Sequence, residues 1–282
     1  MIMMSVRRSS PVSTILRGKV AIVTGASRGI GRGIALGLGE AGCTVYLTSR
    51  TVQDGDSDRP GSVTATAEEV TRMGGQGIAV PCDHRVDAET EAVFRRVLAE
   101  HGSLDLLVNN ATAYTLDIGP PEDAPFWELP IDVWDQMHTV GLRSHYVASV
   151  FAARIMIGQR KGLIVNVSSI GAIKYTGNVS YNVVKAAVDM LTLGSAEELR
   201  EHGVAVVSIW PRFTRTEAVL AHPELYPDLS NAWSPLFNGR AVAALAADPR
   251  VIEKTSQALD IGVVAAEYGF TDLDGRRPAP RQ

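Results

Sequence analysis

The sequence has little cysteine, no long apolar run and no excess of positive charge. Of its 282 residues only Cys43 and Cys82 are cysteines, and their separation matches no metal or redox motif. We therefore expect no metal site and interpret both thiols as small buried groups in a protein of a reducing compartment. The start of the chain lacks a sustained apolar run, which excludes a secretory signal peptide or a membrane span there.

The charge balance excludes two further classes of partner. With 27 basic and 31 acidic residues the net charge is −4, so neither nucleic acid nor an anionic membrane is expected as a partner. Residues 1–17 are predicted to form a loose tail, although a basic, serine-rich and acid-free start also fits a mitochondrial presequence. Residues 18–282 are long enough and apolar enough to form one large domain.

Apolar runs alternate with amphipathic stretches along this domain. Strands are predicted at Val20–Val23, Thr44–Thr48, Gly77–Pro81, Leu104–Val108, Gly162–Val167, Val204–Trp210 and Gln257–Ile261. Helices are predicted between them, over Gly31–Ala41, Glu89–Glu100, Val133–Ile157 and Val183–Glu201. This order is typical of an α/β fold, a single Rossmann-type doubly wound parallel sheet with helices on both faces.

Two segments, Thr112–Pro130 and Thr216–Asn238, interrupt the alternation with prolines, acids and aromatics. Both follow strand ends at the carboxyl edge of the sheet, where open α/β sheets bind ligands. They are predicted to be walls and a lid of a substrate site, or else ordinary surface loops. Six aromatic residues are predicted to line an apolar pocket, or else to form ordinary core: Tyr114, Phe126, Trp127, Tyr175, Phe213 and Trp233.

A glycine-rich turn, TGASRGIG from Thr24 to Gly31, joins the first strand to the first helix. Glycines let the backbone approach a pyrophosphate, and the amides and dipole of the helix start favour the anion. The turn resembles the TGxxxGxG motif of the short-chain dehydrogenase/reductase family, and the resemblance extends from about Gly18 to Pro278. It implies cofactor contacts at Gly25, Ser27, Arg28, Gly29, Ile30 and Gly31.

The same resemblance implies three cofactor contacts further along the chain. Asp83 corresponds to the family residue that touches adenine, and Thr216 to the threonine that holds the nicotinamide amide. Asn109, in the segment Asn109-Asn110-Ala111, corresponds to the start of the NNAG motif at the end of the fourth strand. Thr112 stands where that motif has its final glycine.

The end of the second strand predicts NADP(H) rather than NAD(H). Sites for NAD place an acid there to bind the ribose hydroxyls, whereas this chain reads Leu47-Thr48-Ser49-Arg50. Arg50 can pair with a 2′-phosphate, and Arg28 can reach the same region from the glycine turn. The alternative is that Arg50 merely faces solvent.

Tyr181 and Lys185 are predicted to transfer the proton, because positions four apart lie on one face of a helix. Lowering a phenol pKa by about 3 units takes roughly 4 kcal/mol, which a lysine cation and an oxidised nicotinamide can provide together. In the family this tyrosine and lysine also contact the cofactor, and a serine holds the substrate oxygen. Alignment from the strand places that serine at Ser169, whereas counting back from Tyr181 places it at Ser168. We favour Ser169 because strand geometry determines position better than loop length.

Two positions depart from the family pattern. Gly141 stands where the family has a catalytic asparagine, and His138 and His145 flank it, either as a replacement relay or as surface and interface residues. Arg212 follows Pro211 where the family usually has glycine. It would be strained at positive φ, or it could point into the site to bind an acidic group.

The stretch from Trp134 to Tyr146 and the ending from Tyr268 to Arg276 resemble the dehydrogenase/reductase member 1 branch of the family. The branch implies an NADPH-dependent carbonyl reductase or alcohol dehydrogenase acting on apolar ketones, aldehydes or secondary alcohols. The family resemblance also implies a homo-oligomer, a dimer or tetramer joined through the long helices. The chain lacks the long C-terminal extension of the branch's animal members, so we expect a cytoplasmic protein without membrane association. The alternative is a non-catalytic NADP(H) sensor or scaffold, which the substitutions Gly141 and Arg212 would support.

Overall fold

The computed structural model describes residues 14–113 and 124–277, and they fold around one parallel sheet of seven strands. The strand order is β3-β2-β1-β4-β5-β6-β7, which confirms the predicted doubly wound architecture. The strands are β1 (Val20–Thr24), β2 (Thr44–Ser49), β3 (Gln76–Pro81), β4 (Leu106–Asn109), β5 (Gly162–Val167), β6 (Val204–Trp210) and β7 (Ala258–Asp260).

Helices cover both faces of the sheet. They are α1 (Gly29–Glu40), α2 (Val63–Arg72), α3 (Asp87–His101), α4 (Ile131–His138), α5 (Ser144–Gln159), α6 (Val179–Leu199), α7 (Glu217–Ala221), α8 (Pro235–Ala247) and α9 (Ile261–Tyr268). In β1, Ala21 and Val23 pack with α1 and α8, while Val20 and Ile22 pack on the opposite face with α3 and α5. The two-residue period of a strand thus fills two separate cores.

The predicted helix Val133–Ile157 is divided by a π-helical turn over Thr139–Arg143. Within it the Ser144 amide donates to the carbonyl of Thr139, five residues back, while the Ser144 hydroxyl donates to the Val140 carbonyl at 2.5 Å. Gly141 at the centre is a weak helix former, so the wide turn is inexpensive there.

The loose tail predicted over residues 1–17 extends too far along the chain. Leu16 is 1% exposed in the core beside α1, and its amide donates to the Ala41 carbonyl at 2.9 Å, so residues 14–17 belong to the domain. Residues 1–13 lie outside the described residues. Cys43 and Cys82 are both buried and unbridged, as the sequence indicated. Within residues 14–113 and 124–277, every helix is too short or too polar to cross a membrane.

The strand order reverses at β1, which pairs with β2 on one side and β4 on the other. At such a switch point the connections after neighbouring strands diverge to opposite faces and leave a crevice at the carboxyl edge. The segments that follow β1, β2, β4, β5 and β6 all open into this crevice. The fold therefore brings together the residues that the sequence analysis singled out.

Candidate active site

A cleft of about 990 Å³ occupies the crevice at the carboxyl edge. Nearly all of the predicted site residues line it. They are Gly25, Ser27, Arg28, Gly29, Ile30, Gly31, Arg50, Asp83, Ser168, Ser169, Tyr181, Lys185 and Thr216. Asn109 alone among the predicted site residues is not part of the lining.

The glycine turn is held open to the cleft by close backbone packing. Gly29 begins α1 with φ +58°, a conformation that favours glycine. A Cβ on Gly31 would lie 2.3 Å from the Gly25 carbonyl oxygen, so no larger residue fits. Asn110 fixes the turn by donating from Nδ2 to the carbonyls of Thr24 and Gly25, at 2.9 and 3.0 Å. The first amides of α1 are thereby presented to an anion.

Asn109 lies beneath the cleft instead of in it. Its side chain is fully buried and donates to Ser149 Oγ at 2.9 Å and to Asn166 Oδ1 at 2.8 Å. It therefore joins β4 to β5 and α5, while the neighbouring Asn110 and Ala111 line the cleft. The alternation of side chains at the end of a strand was the signal that distinguishes the two asparagines.

Three arginines converge at the β2 end of the cleft: Arg28, Arg50 and Arg59. Burial lowers the pKa of Arg28 and the charge of Arg50 acts in the same direction, while burial and the charge of Arg28 lower the pKa of Arg59. Arg28 Nη2 donates to the Thr51 hydroxyl and to the Gly61 carbonyl, at 3.2 and 3.1 Å. These bonds fold residues 51–61 over the cleft and bring in Arg59, which the sequence analysis missed.

Asp83 lies two residues beyond β3 on the same side of the cleft. Its carboxylate pairs with Arg85, with Oδ2 and Nη2 2.6 Å apart. The Arg85 hydrogen bond holds the pKa of Asp83 below its usual range, so this group is an ionised acceptor at neutral pH. An adenine amino group is a donor of the kind that it can accept.

Tyr181 and Lys185 stand one turn apart at the start of α6, which Asn178 caps by accepting the Tyr181 amide at 2.9 Å. Lys185 Nζ lies 5.5 Å from the centre of the Tyr181 ring. The lysine is 5% exposed and donates to the Val167 carbonyl at 2.9 Å. Burial lowers the pKa of Lys185 to about 8.

The two serines after β5 point in different directions. The Ser169 side chain is hydrogen-bonded to Tyr181 and accepts the Gly171 amide at 3.0 Å. Ser168 is 2% exposed and donates to the Lys185 carbonyl at 3.1 Å. Burial raises the pKa of Tyr181, and the bond from Ser169 opposes that rise only in part. Ser169 is thus beside the phenol, whereas Ser168 supports the backbone of α6.

A glycine turn, a buried lysine and a tyrosine bonded to a serine thus line one cleft. The sequence profile described as "short chain dehydrogenase" matches residues 19–224. The chain belongs to the short-chain dehydrogenase/reductase family.

Individual members of the family are similar over most of their length. Dehydrogenase/reductase SDR family member 1 of Mus musculus is 43% identical over 274 residues, which cover 93% of this chain and 85% of the relative. The Homo sapiens protein of the same name is 41% identical with the same coverage. These matches confirm the predicted branch. A solved metagenomic short-chain oxidoreductase in complex with NADP is 31% identical, covers 87% of this chain and 97% of its own, and has a TM-score of 0.69.

The departure from the family at Gly141 is accommodated by packing. A Cβ there would lie 3.2 Å from both Thr112 Oγ1 and Val184 Cγ1, so a larger side chain would crowd its neighbours. Lys185, which the family's asparagine would support through water, is instead held by the Val167 carbonyl. A strand carbonyl thus positions the ammonium group in this member.

Neither histidine beside Gly141 lines the cleft. His145 is fully buried, and its Nε2 donates to the Ala111 carbonyl at 3.0 Å. Burial lowers the pKa of His145 to about 3, so the ring is neutral at physiological pH. His138 stacks on Trp134 with ring centres 3.8 Å apart on the outer surface of α4. Among the described residues no hydrogen bond joins either ring to Lys185, although the Lys185 charge also lowers the pKa of His145.

Arg212 is paired within the protein. Its Nε and Nη2 donate to Asp260 Oδ1 at 3.0 and 2.9 Å, and the same carboxylate caps α9 through the Gly262 amide. The pairing arises because β7 brings Asp260 beside Trp210 at the end of β6. Among the described residues other than glycine, positive φ occurs only at Arg160 and Ser256, so the backbone of Arg212 is unstrained.

The aromatic residues predicted to line an apolar pocket do not all lie in one place. Phe213 lines the cleft together with Tyr226, their ring centres 5.6 Å apart. Trp233 is buried in the core against Phe237. Three others, Phe126, Trp127 and Tyr175, are exposed outside the cleft lining, and Tyr114 lies outside the described residues.

Proposed function

We propose that this protein is an NADPH-dependent carbonyl reductase and alcohol dehydrogenase, acting on apolar ketones, aldehydes or secondary alcohols. The observation that carries the proposal is the hydrogen bond between Ser169 and the Tyr181 phenol, with Lys185 buried one turn behind, beside a glycine turn that opens to the same cleft. This arrangement offers a proton donor and a second hydroxyl to one substrate oxygen.

The residues of the cleft fit a phosphorylated dinucleotide. The amides of the glycine turn suit a pyrophosphate, since Gly31 leaves the backbone open to close approach. Arg28 Nε is buried without a hydrogen-bond partner among the described residues, and Arg50 and Arg59 add two cations nearby. These three guanidinium groups outnumber the two acids at this end of the cleft, Asp58 and Asp83, and no acid ends β2. Such a balance favours a 2′-phosphate. The NADP in the similar metagenomic structure supports the same choice.

The chemistry of the chain's own residues follows from their protonation states. Burial raises the pKa of Tyr181, so its phenol is protonated at neutral pH and can donate to a carbonyl oxygen. Ser169 can donate a second hydrogen bond to that oxygen, and the Lys185 cation stabilises the phenolate that remains. When bound, the nicotinamide supplies the hydride.

The two adjacent serines provide a matched test of this assignment. Ser169→Ala should lower kcat/KM for ketone reduction by about 100-fold, because it removes a donor to the developing oxyanion. Ser168→Ala should lower it by less than about fivefold, since that hydroxyl bonds only the α6 backbone. Steady-state oxidation of NADPH, followed at 340 nm, measures both. A larger loss in Ser168→Ala than in Ser169→Ala would reverse the assignment.

The pKa of Lys185 determines the loss of activity that we expect at alkaline pH. Its pKa in the free protein is about 8, so the required cation is present below pH 8 and lost above it. We expect kcat/KM for reduction to be level below this pH and to fall about tenfold per unit above it. In Lys185→Arg the guanidinium stays charged, so the fall should disappear even if the plateau is lower. The same fall in both proteins would contradict this role.

The assay that tests the proposed function uses NADPH with a panel of ketones, aldehydes and quinones. Steady oxidation of NADPH by at least one of them is the expected result. The alternative, a non-catalytic NADP(H) sensor or scaffold, predicts binding of NADPH without turnover on any member of the panel. The hydrogen-bonded Ser169 and Tyr181 favour the enzyme, because a sensor has no need of a paired proton donor.

We also propose a cytoplasmic homo-oligomer. Two observations support it: unbridged buried cysteines suit a reducing compartment, and the outer faces of α5 and α6 carry exposed apolar side chains. These side chains are Tyr146, Ile157, Val183, Met190 and Leu193. Sedimentation equilibrium should give the mass of a dimer or tetramer, and a monomer at micromolar concentration would contradict this proposal.

A further inference from the structure

An acidic side chain of the chain itself contacts the phosphate-binding turn. Glu217 Oε2 accepts the Gly29 amide at 2.7 Å, although the two residues are 188 positions apart. Gly29 is the first residue of α1, a helix of 12 residues whose leading amides have no partner within the helix. A carboxylate therefore sits where the backbone most favours an anion.

Glu217 is held at this place by the segment that follows β6. It is the first residue of α7, which Thr216 caps by accepting the Val219 amide at 3.3 Å. The methyl group of Thr216 also faces Gly29, 3.6 Å from where a Cβ would lie. Both residues line the cleft, so the segment after β6 meets the glycine turn through the Glu217 carboxylate and the Thr216 methyl group.

We infer that Glu217 is a built-in competitor of the cofactor's pyrophosphate, which weakens dinucleotide binding and speeds dinucleotide release. The inference rests on the proposed function, because it takes the glycine turn to be a pyrophosphate site. Two anions cannot share the Gly29 amide at hydrogen-bond distance without strong repulsion. Binding therefore displaces the carboxylate together with the start of α7, and release is assisted when the carboxylate returns.

The competition concerns the pyrophosphate, which NADPH and NADH have in common. Removing the charge of Glu217 should therefore tighten both dinucleotides by the same factor. The three arginines act differently, since they face the 2′-phosphate end and discriminate between the two cofactors. Equal tightening thus separates this role from any effect that Glu217 exerts through its charge interaction with Arg28.

The experiment measures Kd for NADPH and NADH by fluorescence titration, and release rates by stopped flow. Three proteins are compared: wild type, Glu217→Gln and Glu224→Gln. Glu224 is the matched control. It lies in the same segment after β6, but it pairs with His222 at 3.0 Å and is not part of the cleft lining. Glu217→Ala is a second variant, and melting temperatures show whether each protein remains folded.

We expect Glu217→Gln and Glu217→Ala to bind both dinucleotides about tenfold more tightly, with correspondingly slower release, since a charged hydrogen-bond competitor is removed. Glu224→Gln should stay within about twofold of the wild type. Unchanged or weaker binding in both Glu217 variants would overturn the inference, as would tightening of NADPH alone. If the wild type binds neither dinucleotide, the proposed function falls as well; if it binds them and the variants do not differ, only the inference falls.

Discussion

Tyr181→Phe is expected to lower kcat/KM for ketone reduction by about 1,000-fold and to leave the Kd for NADPH within about threefold. Phenylalanine keeps the ring, so its packing in α6 and the 5.5 Å contact with Lys185 Nζ persist. It removes the hydroxyl that is bonded to Ser169 and is the proton donor of the proposed reaction. A loss of kcat/KM with nearly unchanged NADPH binding is the result expected when a proton donor is removed.

The control for this variant is Tyr175→Phe. Tyr175 lies in the connection between β5 and α6, shortly before Tyr181, but its side chain is 67% exposed and is not part of the cleft lining. Its replacement should leave kcat/KM within about twofold, because an exposed hydroxyl contributes little. If Tyr181→Phe retained more than a tenth of the wild-type activity, the phenol would not be the proton donor.

Arg50→Asp is expected to lower the preference for NADPH over NADH by about 100- to 1,000-fold. The arginine can make charge-assisted bonds with a 2′-phosphate, whereas an aspartate repels it and can accept from the ribose hydroxyls of NADH. The Kd for NADPH should rise and that for NADH should fall or stay constant. The ratio of kcat/KM values for the two cofactors measures the preference directly.

Two companion variants make the cofactor test specific. Arg59→Gln should shift the preference in the same direction but less, because two of the three converging arginines remain. Arg72→Asp, at the exposed end of α2 and outside the cleft lining, should change nothing while altering the net charge equally with Arg50→Asp. An unchanged preference in Arg50→Asp would remove the case for NADP(H).

The sequence predicted best those features that depend on near neighbours along the chain. The strands follow from runs of apolar residues, and the glycine turn follows from its position between β1 and α1. Tyr181 and Lys185 were found because four residues separate positions on one helix face. Ser169 was preferred over Ser168 on strand alignment, and it is the serine that contacts Tyr181 in the structure.

Features that depend on distant contacts could not be predicted in the same way. Arg59 reaches the cleft only because Arg28 binds the loop of residues 51–61, and Glu217 reaches Gly29 across 188 positions. Arg212 lines the cleft, as one alternative had it, but its pairing with Asp260, which β7 brings beside it, could not be predicted. In each case the order of the strands in the sheet determines which residues meet, and this order cannot be predicted from neighbouring residues in the sequence.

Two sets of helix boundaries, at the π turn and at the start of α8, were not predicted for a different reason. The π turn over Thr139–Arg143 was not predicted because no residue type in the sequence marks a π turn, and apolar residues lie on both sides of it. The start of α8 lay inside a segment that its prolines marked as irregular, although Ser234 followed by Pro235 is a good helix start. The loop-like composition around Pro235 therefore hid the fact that Ser234 caps a helix.

The most direct test of the whole account is a crystal structure of the protein with NADPH bound. The account predicts the pyrophosphate at the first amides of α1, the 2′-phosphate against Arg50, and the nicotinamide C4 within about 5 Å of the Tyr181 hydroxyl oxygen. A nicotinamide bound out of reach of that hydroxyl, with substrate space on the far side of the ring, would contradict it.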